Sequence, residues 1–112
     1  MKRIEAVIRH EKMEEVRNAL DEAGVKGMHV IEVKGAGHQK GYTQSYRGAR
    51  VQVHLRPKIK IVTVVDDSQA KRVCDVIVAH ARTGEIGDGK IFISPVEECI
   101  RIRTGEAGAS VL

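Results

Sequence analysis

The chain has 112 residues, 42% of them hydrophobic, a formal charge of +4 and an isoelectric point near 9.3. That length specifies one domain, residues 1–112, with a single core, and small domains of this kind gain stability by oligomerising. The basic excess points to an anionic partner or to a solvated cationic surface. No segment approaches the ~20 apolar residues of a membrane span, and the N-terminal MKRIEAVIRHEK has no apolar run of signal-peptide length, so the chain reads as soluble and cytoplasmic.

In chain order, RIEAVIR (3–9) alternates and is rich in Ile and Val, which predicts a strand. EKMEEVRNALDEA (11–23) places Met13, Val16, Ala19, Leu20 and Ala23 at helical spacing, with charge on the other face. Gly24 falls where a helix C-cap belongs. MHVIEVK (28–34) alternates again as a second strand. IKIVTVV (59–65) is a third strand, and its near-continuous apolar run predicts a central one. Asp67 or Ser68 is placed to cap the following helix, whose stripe over 68–82 is Ala70, Val73, Cys74, Ile77, Val78 and Ala81. TGEIGDGK is a turn-rich loop, KIFIS (90–94) a fourth strand, and EECIRIRT (97–104) a short terminal strand. With only Tyr42, Tyr46 and Phe92 aromatic, the core must be aliphatic. Cys74 and Cys99 lack CxxC spacing and stand in apolar surroundings, as reduced buried thiols do.

The order is that of an α+β, ferredoxin-like βαββαβ sandwich. Helices cover one face of such a sheet, and apolar residues on the other face call for a partner. The second and third strands should form a hairpin, and hairpin connections take ~2–5 residues. Here residues 37–55 intervene. They are glycine-rich and carry basic groups without a single acid, which predicts a mobile protruding loop rather than a packed element.

Three stretches are suited to phosphate. In T83-G-E-I-G-D-G-K90, Gly87 and Gly89 let backbone amides approach an anion and Lys90 adds charge, although a charged surface turn would read the same way. Alternation along Arg101-Ile102-Arg103 puts two guanidinium groups on one face, as a phosphate clamp or as a solvated edge strand. GAGHQKG (35–41) is the third; it is not a P-loop, because no GK[ST] follows. Three such stretches beside a basic loop point to a nucleotide or another polyphosphate.

TGEIGDGKIFI (83–93), the SPVEECIRIRTGE after it, VKGAGHQKG, YRGA and LRPKIKI resemble the PII nitrogen-signalling family, in order and spacing, over nearly the whole chain. The resemblance implies a ferredoxin-like homotrimer that binds ATP or ADP in clefts between subunits and, with Mg2+, the effector 2-oxoglutarate. It implies a nucleotide site at Gly35, Gly37, His38, Gln39, Val64, Gly87, Asp88, Gly89, Lys90, Arg101 and Arg103. Gln39 would give its side-chain oxygen to the magnesium. Lys58 would meet the distal carboxylate of 2-oxoglutarate, and the backbone at Gln39, Lys40 and Gly41 would close on it. The loop would present Tyr42, Tyr46, Arg47 and Arg50 to a target: an ammonium channel, a transporter or a nitrogen-metabolism enzyme. Ala49 and Val51 stand where members of the family carry a modifiable serine and tyrosine, so covalent modification is not expected. His29 replaces a threonine near the adenine, and His38 an arginine near the phosphates.

Other readings stand beside this one: a divergent PII-like sensor of another small metabolite, a related trimeric fold with a metal-tolerance role, against which the GDGKIF and RIR segments argue, a nucleic-acid-binding module and an enzyme. The basic loop with Tyr42 and Tyr46 could track a nucleic-acid backbone, but two aromatics make a thin stacking platform, and no nucleic-acid partner is expected. An enzyme finds little support. The five histidines show neither HxxxH nor HxH spacing, and neither cysteine has a nearby base in sequence.

Overall fold

A computed structural model describes residues 1–36, the backbone alone of 43–46 and 49–52, and residues 55–112. Six strands run in chain order as β1 (Lys2–Arg9), β2 (His29–Gly35), β3 (Thr43–Tyr46), β4 (Ala49–Gln52), β5 (Arg56–Val65) and β6 (Gly89–Pro95). The helices are α1 (Met13–Glu22) and α2 (Asp67–Ala81). The main sheet has the order β2-β5-β1-β6, and every neighbouring pair in it is antiparallel. Inserting β5 between the strands of the first β-α-β unit is the split βαβ arrangement, so the α+β ferredoxin-like expectation holds.

Alternation makes the core. β1 buries Ile4, Ala6 and Ile8, and β5 buries Ile59, Ile61, Thr63 and Val65. Val16 and Leu20 of α1 and Val73, Ile77 and Ala81 of α2 cover this face. Each large aliphatic side chain so buried contributes about 1.5–3 kcal/mol. Thr63 is the one buried polar residue among the described residues, and its hydroxyl donates to the Gly27 carbonyl, so the oxygen is not stranded in the core.

The opposite face has no helix. The registers His29↔Val62, Ile31↔Lys60, Val33↔Lys58, Val7↔Lys60, Val7↔Lys90 and Glu5↔Phe92 place Ile31, Val33, Val62, Val64, Val7 and Phe92 on it, because residues opposite one another in a ladder share a face. Ile31 is 45% and Phe92 55% exposed.

The caps follow local chemistry. Val25 N–H donates to the Leu20 carbonyl and Gly24 N–H to that of Asp21, both at 3.0 Å. With Gly24 at φ +87° this is a Schellman ending, and the apolar Val25 after it is buried. At α2 the cap is Asp66, not Asp67 or Ser68: its carboxylate accepts from Asp67 N–H at 2.8 Å. Asp67 pairs instead with the Met1 ammonium at 3.0 Å.

Two expectations need correcting. The connection between β2 and β5 is not without secondary structure, since β3 and β4 pair as a separate two-stranded ladder from Thr43↔Gln52 to Tyr46↔Ala49. The terminal strand expected over 97–104 is also absent; that segment forms only an isolated bridge, Ile100↔Ala107. The reason is geometric. β6 runs antiparallel to β1, and the Val96 N–H already bonds the Met1 carbonyl. Beyond Val96 the segment satisfies its backbone within itself, with Arg101 N–H donating to the Glu106 carbonyl at 2.8 Å.

Candidate functional site

The antiparallel registers carry the C-terminal ends of β1 and β2 and the N-terminal ends of β5 and β6 to one end of the sheet: Arg9↔Lys58, Gly35↔Arg56 and Ile8↔Gly89. Of the expected site residues, Gly35, Lys58, Gly87, Asp88, Gly89 and Lys90 gather there.

The turn 83–88 is organised by Asp88. Its carboxylate accepts from the N–H groups of Thr83 and Gly84 at 2.9 Å each, from the Thr83 hydroxyl, and from Arg9 Nε at 2.9 Å. The Thr83 hydroxyl first, then Arg9 and the two amides, hold the Asp88 carboxyl well below the usual carboxylate range, against the opposing effect of burial. Arg9 also donates from its terminal nitrogen to the Ile86 carbonyl at 2.9 Å. Lys58 Nζ donates to the Gly87 carbonyl at 2.6 Å. Burial, and then the nearby Arg9 charge, push the Lys58 ammonium down from its ordinary pKa.

Gly89 is required by a close crossing. A Cβ on it would lie 1.7 Å from the Val7 carbonyl oxygen. At Gly35 a Cβ would meet only Lys58 Cγ at 3.5 Å, an ordinary contact. Among the described residues nothing demands glycine at Gly35.

Val64, Arg101 and Arg103 do not join this cluster. Val64 lies six residues along β5 from Lys58, about 20 Å at strand rise, and it lines a cleft of about 280 Å³ with Gly27, Arg72, Ala109 and Leu112 at the other end of the sheet. His29 is at this end as well, opposite Val62. Arg101 is on a turn and not on a strand. Its guanidinium approaches Glu106 Oε1 at 3.8 Å and the Val111 carbonyl at 3.4 Å, while Arg103 is exposed in the turn after it. The shared face expected from strand alternation therefore does not form. Gly37, His38, Gln39, Lys40, Gly41, Tyr42 and Arg47 lie outside the described residues, as do the side chains of Tyr46, Arg50, Ala49 and Val51.

Arg9 and Thr83 are the site residues that sequence reasoning missed. Arg9 reads as the last residue of an ordinary strand, and its partner Asp88 is 79 positions away, so no local spacing marks the pair. Among the described residues no three His, Cys, Asp or Glu side chains converge as metal ligands, and no helix is long and apolar enough to cross a membrane.

An antiparallel split-βαβ sheet with cations and a glycine turn gathered at one end defines a ferredoxin-like α+β domain. The chain matches the family model described as nitrogen regulatory protein P-II over residues 1–106. It is similar to the nitrogen regulatory protein P-II of Nostoc punctiforme, 59% identical over 106 residues that make up 95% of each chain. It is 53% identical over 112 residues to that of Azospirillum brasilense, with both chains covered completely. The nitrogen regulatory protein P-II 2 of Methanothermobacter thermautotrophicus is 57% identical over 108 residues, 96% of this chain and 94% of that one. The chain belongs to the P-II family of nitrogen regulatory proteins.

Proposed function

We propose that this P-II protein is a homotrimeric, non-enzymatic sensor. It binds ATP or ADP between subunits, takes 2-oxoglutarate together with Mg-ATP, and passes that state to a nitrogen-metabolism target through residues 37–55. The target is a protein of the class of an ammonium channel, a transporter or a biosynthetic enzyme, met in the cytoplasm.

The observation that carries this reading is the division of the expected nucleotide residues between two ends of one sheet. Gly35, Gly87, Gly89 and Lys90 are at one end; Val64 lines the cleft at the other, and Arg101 donates to the Val111 carbonyl, between that cleft's Ala109 and Leu112. No single chain can close both halves on one nucleotide. A head-to-tail ring sets one half-site of each chain against the other half-site of its neighbour. The helix-free face, with Ile31, Val33, Val62 and Phe92, supplies apolar surface for the ring to bury.

Magnesium fits this end through the nucleotide. A hard divalent ion takes its ligands from phosphate oxygens with one or two protein oxygens, and Gln39 is the residue assigned to supply one. Lys58 is assigned the distal carboxylate of 2-oxoglutarate, which requires its ammonium to leave or share the Gly87 carbonyl it now holds. That exchange makes the effector site and the glycine turn neighbours.

Calorimetric titration of ATP with magnesium, with and without saturating 2-oxoglutarate, tests the proposal. Saturable ATP binding that 2-oxoglutarate tightens is the expected result, and by linkage ATP tightens 2-oxoglutarate equally. Lys58→Ala should remove that coupling while ATP still binds. Failure of ATP to bind the purified trimer would overturn the nucleotide reading.

A further inference from the structure

The registers Ile31↔Lys60 and Val7↔Lys60 put Lys60 on the helix-free face with an aliphatic side chain on either side. It stands on β5, one of the two strands inside the sheet, and is partly buried. Among the described residues it makes no hydrogen bond or ion pair. The one acid that the ladder places on this face is Glu5, diagonal to Lys60 and opposite Val62 and Phe92. Arg3 already engages it at 3.3 Å. Lys58 and Arg9, on the same face, are fastened to the 86–88 turn. The middle of the face therefore carries one uncompensated positive charge per chain.

The face is also graded from edge to middle. Ile31 and Val33 lie on the edge strand β2 and Phe92 on the edge strand β6, while Arg3, Glu5 and Lys60 lie on the inner strands β1 and β5. Three such faces turned toward a common axis meet at their edges, with their middles toward the axis. In the trimeric reading above, on which this inference rests, apolar edges seal the ring and three copies of Lys60 converge inside it. Taking those charges out of water without a counter-charge is costly, and Glu5 balances only Arg3. We infer that the homotrimer holds an inorganic phosphate ion on its threefold axis, bound by the three copies of Lys60. A tetrahedral oxyanion has a threefold axis of its own, so three of its oxygens accept from three equivalent ammonium groups in charge-assisted hydrogen bonds. This site is incomplete in any one chain. It occurs once per trimer, whereas a nucleotide cleft occurs once per chain.

The test is equilibrium dialysis of radiolabelled inorganic phosphate against the full chain at fixed ionic strength. A non-hydrolysable ATP analogue is kept at saturation so that the nucleotide clefts are filled. Wild type, Lys60→Met, Lys60→Arg and Glu5→Gln are compared, and sedimentation reads the assembly of each. One phosphate per three chains is the expected count. Lys60→Met sets an apolar side chain of similar length between Ile31 and Val7, so the trimer should persist. The phosphate should bind it about a hundredfold more weakly or worse, because three charge-assisted hydrogen bonds go together. Lys60→Arg should keep the site, and Glu5→Gln, which removes the acid of the face, should tighten it. A wild-type trimer without this component, or a component that Lys60→Met leaves unchanged, would overturn the axial site and leave the assembly standing. Wild-type protein that sediments as a single chain would overturn both. If the analogue does not bind, the nucleotide reading falls by itself, and the Lys60-dependent component, one per three chains, still decides this one.

Discussion

Replacing Gly89 with alanine adds one methyl where β6 begins against β1. The new Cβ would lie 1.7 Å from the Val7 carbonyl oxygen and 2.8 Å from its carbon. A carbon approaches a carbonyl oxygen no closer than about 3.3 Å, so the strands would have to part by roughly 1.5 Å. The pairs Ile8↔Gly89 and Val7↔Lys90 cannot absorb that movement and keep their hydrogen bonds. Losing about two of them costs about 1 kcal/mol each. A side chain at φ +99° adds about 1–2 kcal/mol. The expected total is about 3–4 kcal/mol, a large share of the 5–15 kcal/mol typical of a domain.

Gly84→Ala supplies the internal control. Gly84 has nearly the same backbone, φ +92°, but nothing within 4 Å of a Cβ. It should lose only the conformational part, about 1–2 kcal/mol. Urea unfolding followed by circular dichroism, at one fixed protein concentration because assembly contributes to the apparent stability, measures both. The gap between the two variants, about 2 kcal/mol, is the cost of the steric conflict with Val7. Equal losses in both would refute the claim that a backbone crossing, rather than φ, demands glycine at position 89.

Two further outcomes follow from the same geometry. Asp88, with its folded pKa depressed, contributes stability that is full above its unfolded value near 4 and is lost as pH falls toward the folded value. Thermal unfolding between pH 2 and 6 should therefore fall less steeply below pH 4 in Asp88→Asn than in the wild type, and parallel slopes would deny Asp88 that role. Phe92→Asp places a charge on the helix-free face without entering the core, so sedimentation should show the proposed homotrimer of the wild type dissociating in the variant into chains that keep their native circular dichroism; an unchanged assembly would remove Phe92 from the interface.

The elements legible in the sequence were those whose burial imposes a period. The near-continuous apolar run of IKIVTVV marked it as a central strand, and the structure points its alternate residues Ile59, Ile61, Thr63 and Val65 into the core. Gly24 announced the end of α1 through its positive φ. β3 and β4 were missed because TQSY and ARVQ carry no apolar alternation. Their pairing is described for the backbone alone, and backbone pairing leaves no mark on composition. RIRT failed in the opposite sense. Its alternation is that of a strand, but the segment folds back on itself, with Gly105 N–H donating to the Arg101 carbonyl and Arg101 N–H to that of Glu106, so a turn overrode the local pattern. Within the site, Gly87, Gly89 and Lys90 were legible because glycine and lysine in one turn already suggest an anion. Arg9 was not, because its function comes from a contact closed across nearly the whole chain. The division of the site follows the same logic. Residue types in a motif say what chemistry is available, while strand register decides which end of the sheet holds it. With Lys58 and Val64 on one strand about 20 Å apart, the register sets the expected nucleotide residues toward opposite ends of one sheet, and the proposed head-to-tail assembly would bring them together across subunits, linking ligand occupancy to assembly.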